Sequence, residues 1–343
     1  MMASSFSPLI FPAEEWHSKE TVINQLIHFH KKLAKTPNLE EAKKQNNAHI
    51  DDLKSFLKKE GLCKYVDYTG SAYEGVKTTE GELEFDIMFV ADGNDLEFTP
   101  LPTEDGYVYI HNKTGLSSLS KFADKNNNQL LPKRFLEKFY SVVDKFIDKH
   151  KYRGIMKLRN HGPAVQMDVM HKDGRLWYSV DMVPAVETRC SHDVLRYVAK
   201  PLDDDEATWR QSFSKEEKKF LQNLDKNNSC HRQVLRILKT LCKRDSTLMT
   251  LNSYLLKTVL FHSVQHLELS WRSSDVEKRV FSMLGIIENY ITKKRLPHFY
   301  LPTVNLIHDF EPQQVRCICN RLKNLRTKEK KFMKAFEVDK EKT

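Results

Sequence analysis

Gly70–Val90 reads GSAYEGVKTTEGELEFDIMFV, and the second half of this stretch alternates in the way that predicts a β-strand. Alternate strand residues point the same way, so Glu84 and Asp86 share one face while Phe85 and Ile87 are buried on the other. Mg²⁺ is a hard cation that is usually held by one or two carboxylates together with substrate phosphates. Glu84 and Asp86 therefore indicate a site for a metal-dependent reaction of a phosphate-containing substrate.

Gly70 and Ser71 open the stretch and predict a tight turn between a strand and a helix. Backbone N–H groups at a helix N-terminus, with a nearby hydroxyl, can hold a triphosphate. Together with the carboxylates, this turn indicates half of a nucleotidyltransferase site. A bare Glu-x-Asp is more often the solvated face of an amphipathic strand, but the Gly-Ser pair upstream and the apolar run after Asp86 favour the functional interpretation.

Ala164–Met170 and Arg175–Val183 are predicted to be two strands joined by a turn over residues 171–174. Asp181 is the one acid of the second strand and stands where an apolar residue would be expected. Alone, it is most simply an acid at a hairpin edge. Beside Glu84 and Asp86, it is interpreted as the third ligand of a site for two Mg²⁺ or Mn²⁺ ions that supports phosphoryl transfer.

The composition is that of an ordinary folded chain with a basic balance. Its 343 residues include 55 Lys and Arg against 46 Asp and Glu, a formal net charge of +9. This charge suits a polyanionic partner but also suits solubility alone. A secretory signal and a membrane span are not expected, and six scattered cysteines are too sparse for a disulfide scaffold. These features predict a cytoplasmic protein.

Basic side chains accompany the helices that the apolar spacing predicts before Gly61 and at Phe135–His150. The simpler explanation of these basic residues is that they lie on solvated helix faces. The more specific explanation is that they form a stripe that binds the phosphate backbone of a nucleic acid. The candidate nucleic-acid contacts are Lys31, Lys32, Lys35, Lys43, Lys44, Lys54, Lys149, Lys151 and Arg153.

A polar, turn-forming segment, Lys200–Asp205, marks the predicted domain boundary. It divides the chain into an α/β lobe with N-terminal basic helices at residues 13–200 and a helical lobe at 201–327. Residues 328–343 are predicted to be a basic, solvated tail.

Six ordered motifs resemble the male-abnormal twenty-one superfamily, and specifically its enzymatic branch, the cyclic GMP-AMP synthase-like receptors. The motifs are GSAYEG, EFDIMF, SVDMVPAVE, ATWRQSFSKEE, CHRQVLRILKTL and NSYLLKTVLFH, and the resemblance runs from about residue 15 to 325. It implies a bilobed nucleotidyltransferase fold, with a lobe built on a mixed twisted β-sheet with long N-terminal helices, an α-helical C-terminal lobe, and an active site in the cleft between them.

The resemblance also implies roles for individual residues. Gly70 and Ser71 would hold the donor triphosphate, and the three carboxylates would bind the metal ions. The other implied nucleotide contacts are Arg210 and Ser212 for the acceptor base, Lys239 and Ser253 for the donor phosphates, and Tyr254 for stacking on a base. Without the resemblance, Lys239 and Tyr254 would be taken for ordinary helix surface and packing residues.

One departure from the family bears on the activator. Cyclic GMP-AMP synthase carries a His-Cys-rich zinc ribbon after the TWR-type motif, whereas residues 220–229 contain neither residue type and Cys230-His231 is a lone pair. No structural zinc is expected, because a tetrahedral site needs four ligands. Relatives without the ribbon resemble sensors of double-stranded RNA, which is recognised by shape and phosphate contacts.

The resemblance thus implies a cyclic dinucleotide synthase that uses ATP, GTP or other nucleoside triphosphates and is activated by double-stranded RNA. A dimer on the nucleic acid is compatible with the sequence, which does not define the oligomeric state. Three alternatives stay open: a sensor of double-stranded DNA, a non-catalytic scaffold or nucleic-acid-binding member of the superfamily, and a template-independent polymerase that makes longer linear chains. Three converging carboxylates argue against the scaffold, because their mutual repulsion costs stability unless a metal is bound.

Overall fold

The computed structural model describes residues 14–34, 36, 38–79, 82–149, 151–161, 164–190, 193–224 and 228–338. The helices in these ranges are α1 (Glu20–Leu33), α2 (Leu39–Lys59), α3 (Gly70–Tyr73), α4 (Pro132–Ile147), α5 (Ser214–Leu224), α6 (His231–Arg244), α7 (Ser253–His266), α8 (Val276–Thr292), α9 (Pro312–Thr327) and α10 (Glu329–Ala335). The strands are β1 (Tyr65–Thr69), β2 (Glu84–Asp92), β3 (Glu97–Pro100), β4 (Tyr107–His111), β5 (Met156–His161), β6 (Ala164–Met170), β7 (Leu176–Cys190), β8 (Asp193–Val198) and β9 (Trp209–Gln211). None of the described helices is long and apolar enough to cross a membrane.

The strands form one mixed sheet in the order β1-β2-β7-β8-β9-β4-β3, and the β5-β6 hairpin joins it through β6 and β7. β2 and β7 run parallel, whereas the other named pairs are antiparallel. The predicted mixed α/β class is confirmed. The predicted hairpin is also present, with Gly174 in the left-handed region at φ +81°.

Contacts between residues divide the chain into two compact units. The sheet unit comprises the described residues within Asn38–Glu74 and Glu82–Lys219. The helical unit comprises those within Met1–Pro37, Gly75–Gly81 and Phe220–Thr343. This division does not coincide with the predicted one, because α1 and the segment after α3 group with the C-terminal helices.

The core of the sheet unit lies between one face of the sheet and helices α2 and α4. Phe85, Ile87 and Phe89 of β2 are fully buried in it, as the alternation of that stretch predicts. α4 begins with Pro132 at its first turn, where the missing N–H costs nothing, and it buries a stripe at helical spacing. That stripe consists of Phe135, Phe139, Val142, Val143, Phe146 and Ile147.

The helical unit has a core of its own, built mainly from α6 to α9. α1 contributes Val22, Leu26 and Phe29, which recur at helical spacing and are buried there, so this helix belongs to the C-terminal core. Residues 328–338 do not form the expected solvated end. Phe332 of α10 and Phe336, which directly follows this helix, are both fully buried in the core.

Candidate active site

Glu84, Asp86 and Asp181 lie together on one face of the sheet. In the parallel pair β2-β7, Asp86 is the Cα partner of Asp181 and Glu84 is the partner of Ser179. Directly paired residues on neighbouring strands place their side chains on the same face. All three carboxylates are half-buried, so they share a partly dry environment at one place on the sheet.

The pKa of Asp181 is raised by its burial and by the neighbouring carboxylates. Burial raises the pKa of Asp181 to about 7, a hydrogen bond to Glu84 and the negative charges of Glu84 and Asp86 act in the same direction, and a hydrogen bond with Gln166 opposes them. A protonated Asp181 can donate to the Glu84 carboxylate, which lowers the repulsion within the group.

The donor set fits a hard divalent cation. Among the described residues, no three His, Cys, Asp or Glu side chains meet in an arrangement that would hold a metal ion as they stand. Glu84 and Asp181 are hydrogen-bonded to each other. Carboxylate oxygens are the ligands that Mg²⁺ and Mn²⁺ prefer, and a divalent charge would favour the ionised form of Asp181, which burial and the neighbouring carboxylates disfavour.

The Gly-Ser turn lies directly against this group. β1 ends at Thr69, the Cα partner of Asp86, and α3 begins at Gly70. Gly70 has φ +71°, and a Cβ built on it would overlap the Asp86 carboxylate and lie 2.7 Å from the Asp86 Cβ. Only glycine therefore fits, since any side chain would displace Asp86. Ser71 follows, half-buried, in the first turn of α3.

Arg210 lies on the same face of the sheet at some distance, and Ser212 directly follows β9. Arg210 pairs with Val198 on β8, which pairs with Ala185 on β7, four residues after Asp181. Two strand spacings and four residues correspond to about 16 Å between the Cα atoms of Arg210 and Asp181. Arg210 is exposed, and the hydroxyl of Ser212 lies 3.1 Å from that of Ser214.

Lys239 of the helical unit is buried at 5% exposure, and its Nζ donates to the Val76 carbonyl at 2.8 Å. In the same unit, Arg236 donates to the carbonyl of Gly75, and Thr79 donates to the Leu33 carbonyl through both its backbone N (3.4 Å) and its Oγ1. The segment that follows the Gly-Ser turn is thus tied to α6 and to the last residue of α1.

Ser253 and Tyr254 begin α7, which is capped by Asn252. The Asn252 side chain accepts hydrogen bonds from the backbone N–H groups of Tyr254 and Leu255, so the first turn is fixed. Ser253 is exposed. The hydroxyl of Tyr254 lies 2.6 Å from Nε2 of His298, and Nδ1 of His298 accepts from the backbone N–H groups of Tyr300 and Leu301 at 3.1 Å each.

These contacts assign the tautomer of His298. Because Nδ1 accepts two backbone N–H groups, the ring proton lies on Nε2 and is donated to the Tyr254 hydroxyl. His298 therefore fixes the position of the Tyr254 ring through a hydrogen bond to its hydroxyl. The sequence analysis missed this residue, because nothing in its local pattern distinguishes it from an ordinary loop histidine.

Gln166 was also missed, for a topological reason. It is the Cα partner of Asp181 across β6-β7 and hydrogen-bonds to it. A register shift between Val169 and Met170 sets this pairing, since Val169 pairs with Tyr178 but Met170 pairs with Leu176. Counting back from the turn without the bulge would place Val165 opposite Asp181, so a bulge that the sequence does not reveal decides which residue touches the carboxylate.

The candidate nucleic-acid contacts fall on both units. Lys31 and Lys32 are exposed in the last turn of α1, and Lys35 lies outside the described residues. On the sheet unit, Lys43 pairs with Glu40 at 2.8 Å, Lys44 is exposed and Lys54 is half-buried.

Basic residues that follow α4 contact α2. Lys149 lies 4.0 Å above the ring of Phe56, and Lys151 pairs with Asp52 at 2.6 Å, so both residues contact α2. Arg153 is exposed beside them in the sequence. These contacts join the basic residues of α2 and of residues 149–153 into one surface, in which Asp52 neutralises part of the charge.

Cys230 and His231, the pair considered for zinc, lie inside the helical unit. His231 stacks on Trp271 with ring centroids 4.5 Å apart, and burial lowers its pKa to about 4, against the opposing effect of a hydrogen bond with the Leu224 backbone. A neutral, stacked ring explains the place of this histidine in the core.

Comparisons with known proteins agree with the fold. Residues 72–223 match the family described as Mab-21 protein nucleotidyltransferase domain, and residues 230–324 match Mab-21 protein HhH/H2TH-like domain. The chain is 32% identical to cyclic GMP-AMP synthase-like receptor 3 of Stylophora pistillata, over 79% of this chain and 84% of that one.

Two further relatives widen the comparison. A cyclic GMP-AMP synthase-like receptor of Trichogramma pretiosum is 26% identical, over 83% of this chain and 68% of its own length. Mitochondrial dynamics protein MID51 of Danio rerio is 29% identical, over 54% of this chain and 41% of its own length. The similarity thus extends to a protein whose name does not describe a synthase.

Proposed function

The chain belongs to the Mab-21 nucleotidyltransferases, among the cyclic GMP-AMP synthase-like receptors, and we propose from this premise that it is a nucleic-acid sensor that synthesises a cyclic dinucleotide. The substrates are two nucleoside triphosphates, ATP and GTP being the first candidates, and the activator is double-stranded RNA in the cytoplasm. The observation that carries the proposal is the pairing of Asp86 with Asp181, beside Glu84 and against a turn that only Gly70 fits.

The three carboxylates would hold the divalent metal ions that such an enzyme uses. When bound, the ions would neutralise the triphosphate charge and stabilise the charge that develops during transfer. In this proposal Gln166 orients Asp181 through their hydrogen bond. Asp86 is kept in place by the close approach of Gly70 and by its pairing with Thr69.

The proposed donor-nucleotide contacts are taken for each unit separately. Backbone N–H groups at Gly70 and Ser71 and the Ser71 hydroxyl bind its phosphates. Lys239 and Ser253 supply further phosphate contacts, and Lys239 also fixes the segment that begins at Gly75 through the Val76 carbonyl. The Tyr254 ring stacks on the base, in an orientation that His298 holds.

The acceptor nucleotide lies along the same face of the sheet, with Arg210 and Ser212 against its base. The Cα atoms of Arg210 and Asp181 are about 16 Å apart along this face, so the acceptor base is proposed to lie at a distance from the carboxylates. A ribose hydroxyl of the acceptor attacks the α-phosphorus of the donor. The new P–O bond forms as the bond to pyrophosphate breaks, and the hydroxyl proton passes to a carboxylate of the group or to solvent. A second transfer of the same kind closes the ring.

Binding of double-stranded RNA is proposed to activate the carboxylate site through α1. RNA phosphates bind Lys31 and Lys32 in the last turn of this helix, with Lys35 after it, and α2 and residues 149–153 supply the other basic surface. Leu33 directly follows Lys32, and its carbonyl accepts hydrogen bonds from Thr79. RNA that orders the end of α1 would therefore also order the segment between the Gly-Ser turn and β2, and two copies on one duplex would form the expected dimer.

The test combines nucleotides, metals and RNA in one screen. Purified protein is incubated with ATP, GTP, CTP and UTP, with Mg²⁺ or Mn²⁺, and with long double-stranded RNA, double-stranded DNA or neither, and products are identified by mass. We expect a cyclic dinucleotide only with metal and RNA, and none from Asp86→Asn. Linear products longer than two residues would identify a template-independent polymerase, and the absence of any product under every condition would refute the synthase.

A non-catalytic role is the second candidate, favoured by the similarity to MID51. A scaffold would bind RNA or another partner without consuming nucleotides. Asp86→Asn distinguishes the two functions, because a scaffold would keep its partner affinity and its cellular effect after the substitution, whereas a synthase would keep the affinity and lose the effect.

A further inference from the structure

Tyr73, the last residue of α3, is held by two amide side chains of α2. Its hydroxyl accepts a hydrogen bond from Nδ2 of Asn46 at 2.9 Å and donates one to Oδ1 of Asn47 at 2.7 Å. Burial raises the pKa of Tyr73, so the hydroxyl keeps its proton and can act as this donor. A single phenol group thus connects α3 with α2 inside the sheet unit.

Asn46 stands at a position of α2 where an apolar residue would be expected. The other buried residues of this helix are Ala42, Ile50, Leu53 and Leu57. Asn46 is fully buried, and within the described part of the chain its Oδ1 has no hydrogen-bond partner. A buried amide that is only partly hydrogen-bonded is less favourable than an apolar side chain of similar size. The contact with Tyr73 gives this amide a purpose that core packing alone does not.

The ring of Tyr73 contacts several further elements of the sheet unit. Its centroid lies 5.0 Å from that of Tyr68 on β1 and 5.6 Å from that of Phe85 on β2. The ammonium groups of Lys43 on α2 and Lys218 on α5 lie 6.0 Å and 5.7 Å from the centroid, within the range of cation–π attraction. A shift of α3 would therefore break contacts with four elements at once.

α3 transmits this restraint to the carboxylate group through its first residue. The helix is a single turn, in which the backbone N–H of Glu74 donates to the Gly70 carbonyl at 2.9 Å. Gly70 approaches Asp86 so closely that a Cβ built on it would lie 2.7 Å from the Asp86 Cβ. Phe85, against which the Tyr73 ring packs, directly precedes Asp86 on β2. A movement of Tyr73 would thus disturb both the turn that faces Asp86 and the strand that carries it.

We propose that Tyr73 is a positioning residue of the carboxylate site, whose hydroxyl anchors α3 to α2 and so keeps the Asp86 carboxylate in the geometry that binds a divalent cation. Tyr73 acts through Gly70 and Phe85, on which the place of Asp86 depends. This inference rests on the proposed function, because the metal ions are assigned to the carboxylates there. It adds α2 to the elements that determine the geometry of the site.

The test compares Tyr73→Phe with Tyr68→Phe in the full chain. Each substitution removes one hydroxyl and keeps the ring, but only the Tyr73 hydroxyl has hydrogen-bond partners among the described residues. Affinity for Mn²⁺ alone is measured from the rise of the thermal midpoint with Mn²⁺ concentration. We expect Tyr73→Phe to weaken Mn²⁺ binding by about tenfold, as is usual when a group that orients a metal ligand is lost. Tyr68→Phe should change the affinity by less than about twofold, since no hydrogen bond is removed.

Product formation with ATP, GTP and double-stranded RNA gives a second measurement. Tyr73→Phe should lower kcat by about tenfold, whereas Tyr68→Phe should leave it within about twofold of the original value. Asn47→Ala removes the acceptor of the Tyr73 hydroxyl at a half-buried position and should have a smaller effect in the same direction. Added to Tyr73→Phe it should have no further effect, because the two residues share one hydrogen bond. Circular dichroism verifies folding, and Asn47→Ala alone carries the test if Tyr73→Phe does not fold.

The outcomes separate this inference from the proposed metal site. Asp86→Asn should abolish the rise of the thermal midpoint with Mn²⁺, and a protein without any rise that depends on Asp86 would refute the metal site and this inference with it. A rise that Tyr73→Phe leaves unchanged would overturn this inference alone. A lower thermal midpoint with unaltered Mn²⁺ affinity and kcat would make Tyr73 a residue of the core only. A selective loss of double-stranded RNA affinity would place its role at the basic surface of α2 and also overturn the proposal.

Discussion

Asp86 on β2 and Asp181 on β7 are direct partners in a parallel pair of strands, so two carboxylates that are distant in the sequence lie side by side on one face. Such a pair is unfavourable unless a proton or a cation lies between the charges. The raised pKa of Asp181, caused mainly by its burial and also by its hydrogen bond to Glu84, favours a proton within this group. The arrangement therefore combines a cost in stability with the proposed site for a divalent cation.

Asp181→Asn tests this arrangement. We expect cyclic dinucleotide formation to fall by about 100-fold or more, because one metal ligand is lost. The thermal midpoint in EDTA should stay the same or rise, since one of three repelling carboxylates is removed. Asp92→Asn, at the end of the neighbouring strand β2, is the control, because its exposed carboxylate pairs with Lys64 at 3.1 Å, and it should leave product formation unchanged. A loss of activity that is equal in both variants would contradict the assignment.

Gly70→Ala separates steric contact from backbone strain. Gly70 and Gly174 both have positive φ, at +71° and +81°, but a Cβ would overlap Asp86 at the first and meets nothing within 4 Å at the second. Each substitution should cost about 1 kcal/mol of unfolding free energy through its backbone conformation. Only Gly70→Ala should also abolish product formation, by moving the Asp86 carboxylate. Similar activities of the two variants would show that the close approach has no functional role.

His298 is expected to act on the nucleotide through Tyr254. His298→Ala removes the donor to the Tyr254 hydroxyl and should raise KM for the donor nucleotide several-fold with a smaller effect on kcat, because stacking contributes to binding. His298→Gln can restore a donor and should recover part of the loss. His308→Ala, at an exposed position in the same connection, is the control. A fall in kcat at constant KM would argue against a positioning role.

His231 gives the helical unit a defined sensitivity to acid. Its folded-state pKa of about 4 lies below the ordinary value of 6.5, so the unfolded chain binds the proton more tightly and stability is lost as pH falls from 6.5 towards 4. The loss should reach about 2 kcal/mol at pH 5. His231→Phe keeps the stacking on Trp271 and should remove this share of the pH dependence, measured by urea unfolding at pH 7.5 and pH 5. Parallel curves for the two proteins would contradict the prediction.

The sequence predicts some of these features better than others, for physical reasons. The alternation of β2 identifies Glu84 and Asp86 because a strand has a period of two. The parallel partner of β2 is not local, and only the resemblance and the isolated acid at position 181 pointed to it. Gln166 depends on a bulge, and the grouping of α1 with the C-terminal helices depends on tertiary packing of Val22, Leu26 and Phe29. Local pattern defines which faces are apolar, but not which element covers them.

Thr79→Val tests the proposed connection between RNA and the active site. The substitution keeps the side-chain volume but removes the Oγ1 donor to the Leu33 carbonyl, at the end of the helix that carries Lys31 and Lys32. RNA affinity should stay unchanged, because no cation is altered, while RNA-stimulated product formation should fall several-fold as the segment before β2 loses one anchor. The control is Thr327→Val, where an exposed hydroxyl donates within α9 to the Lys323 carbonyl at 2.9 Å. If Thr79→Val instead weakened RNA binding and product formation in proportion, the residue would support the RNA surface itself and the segment would not transmit activation.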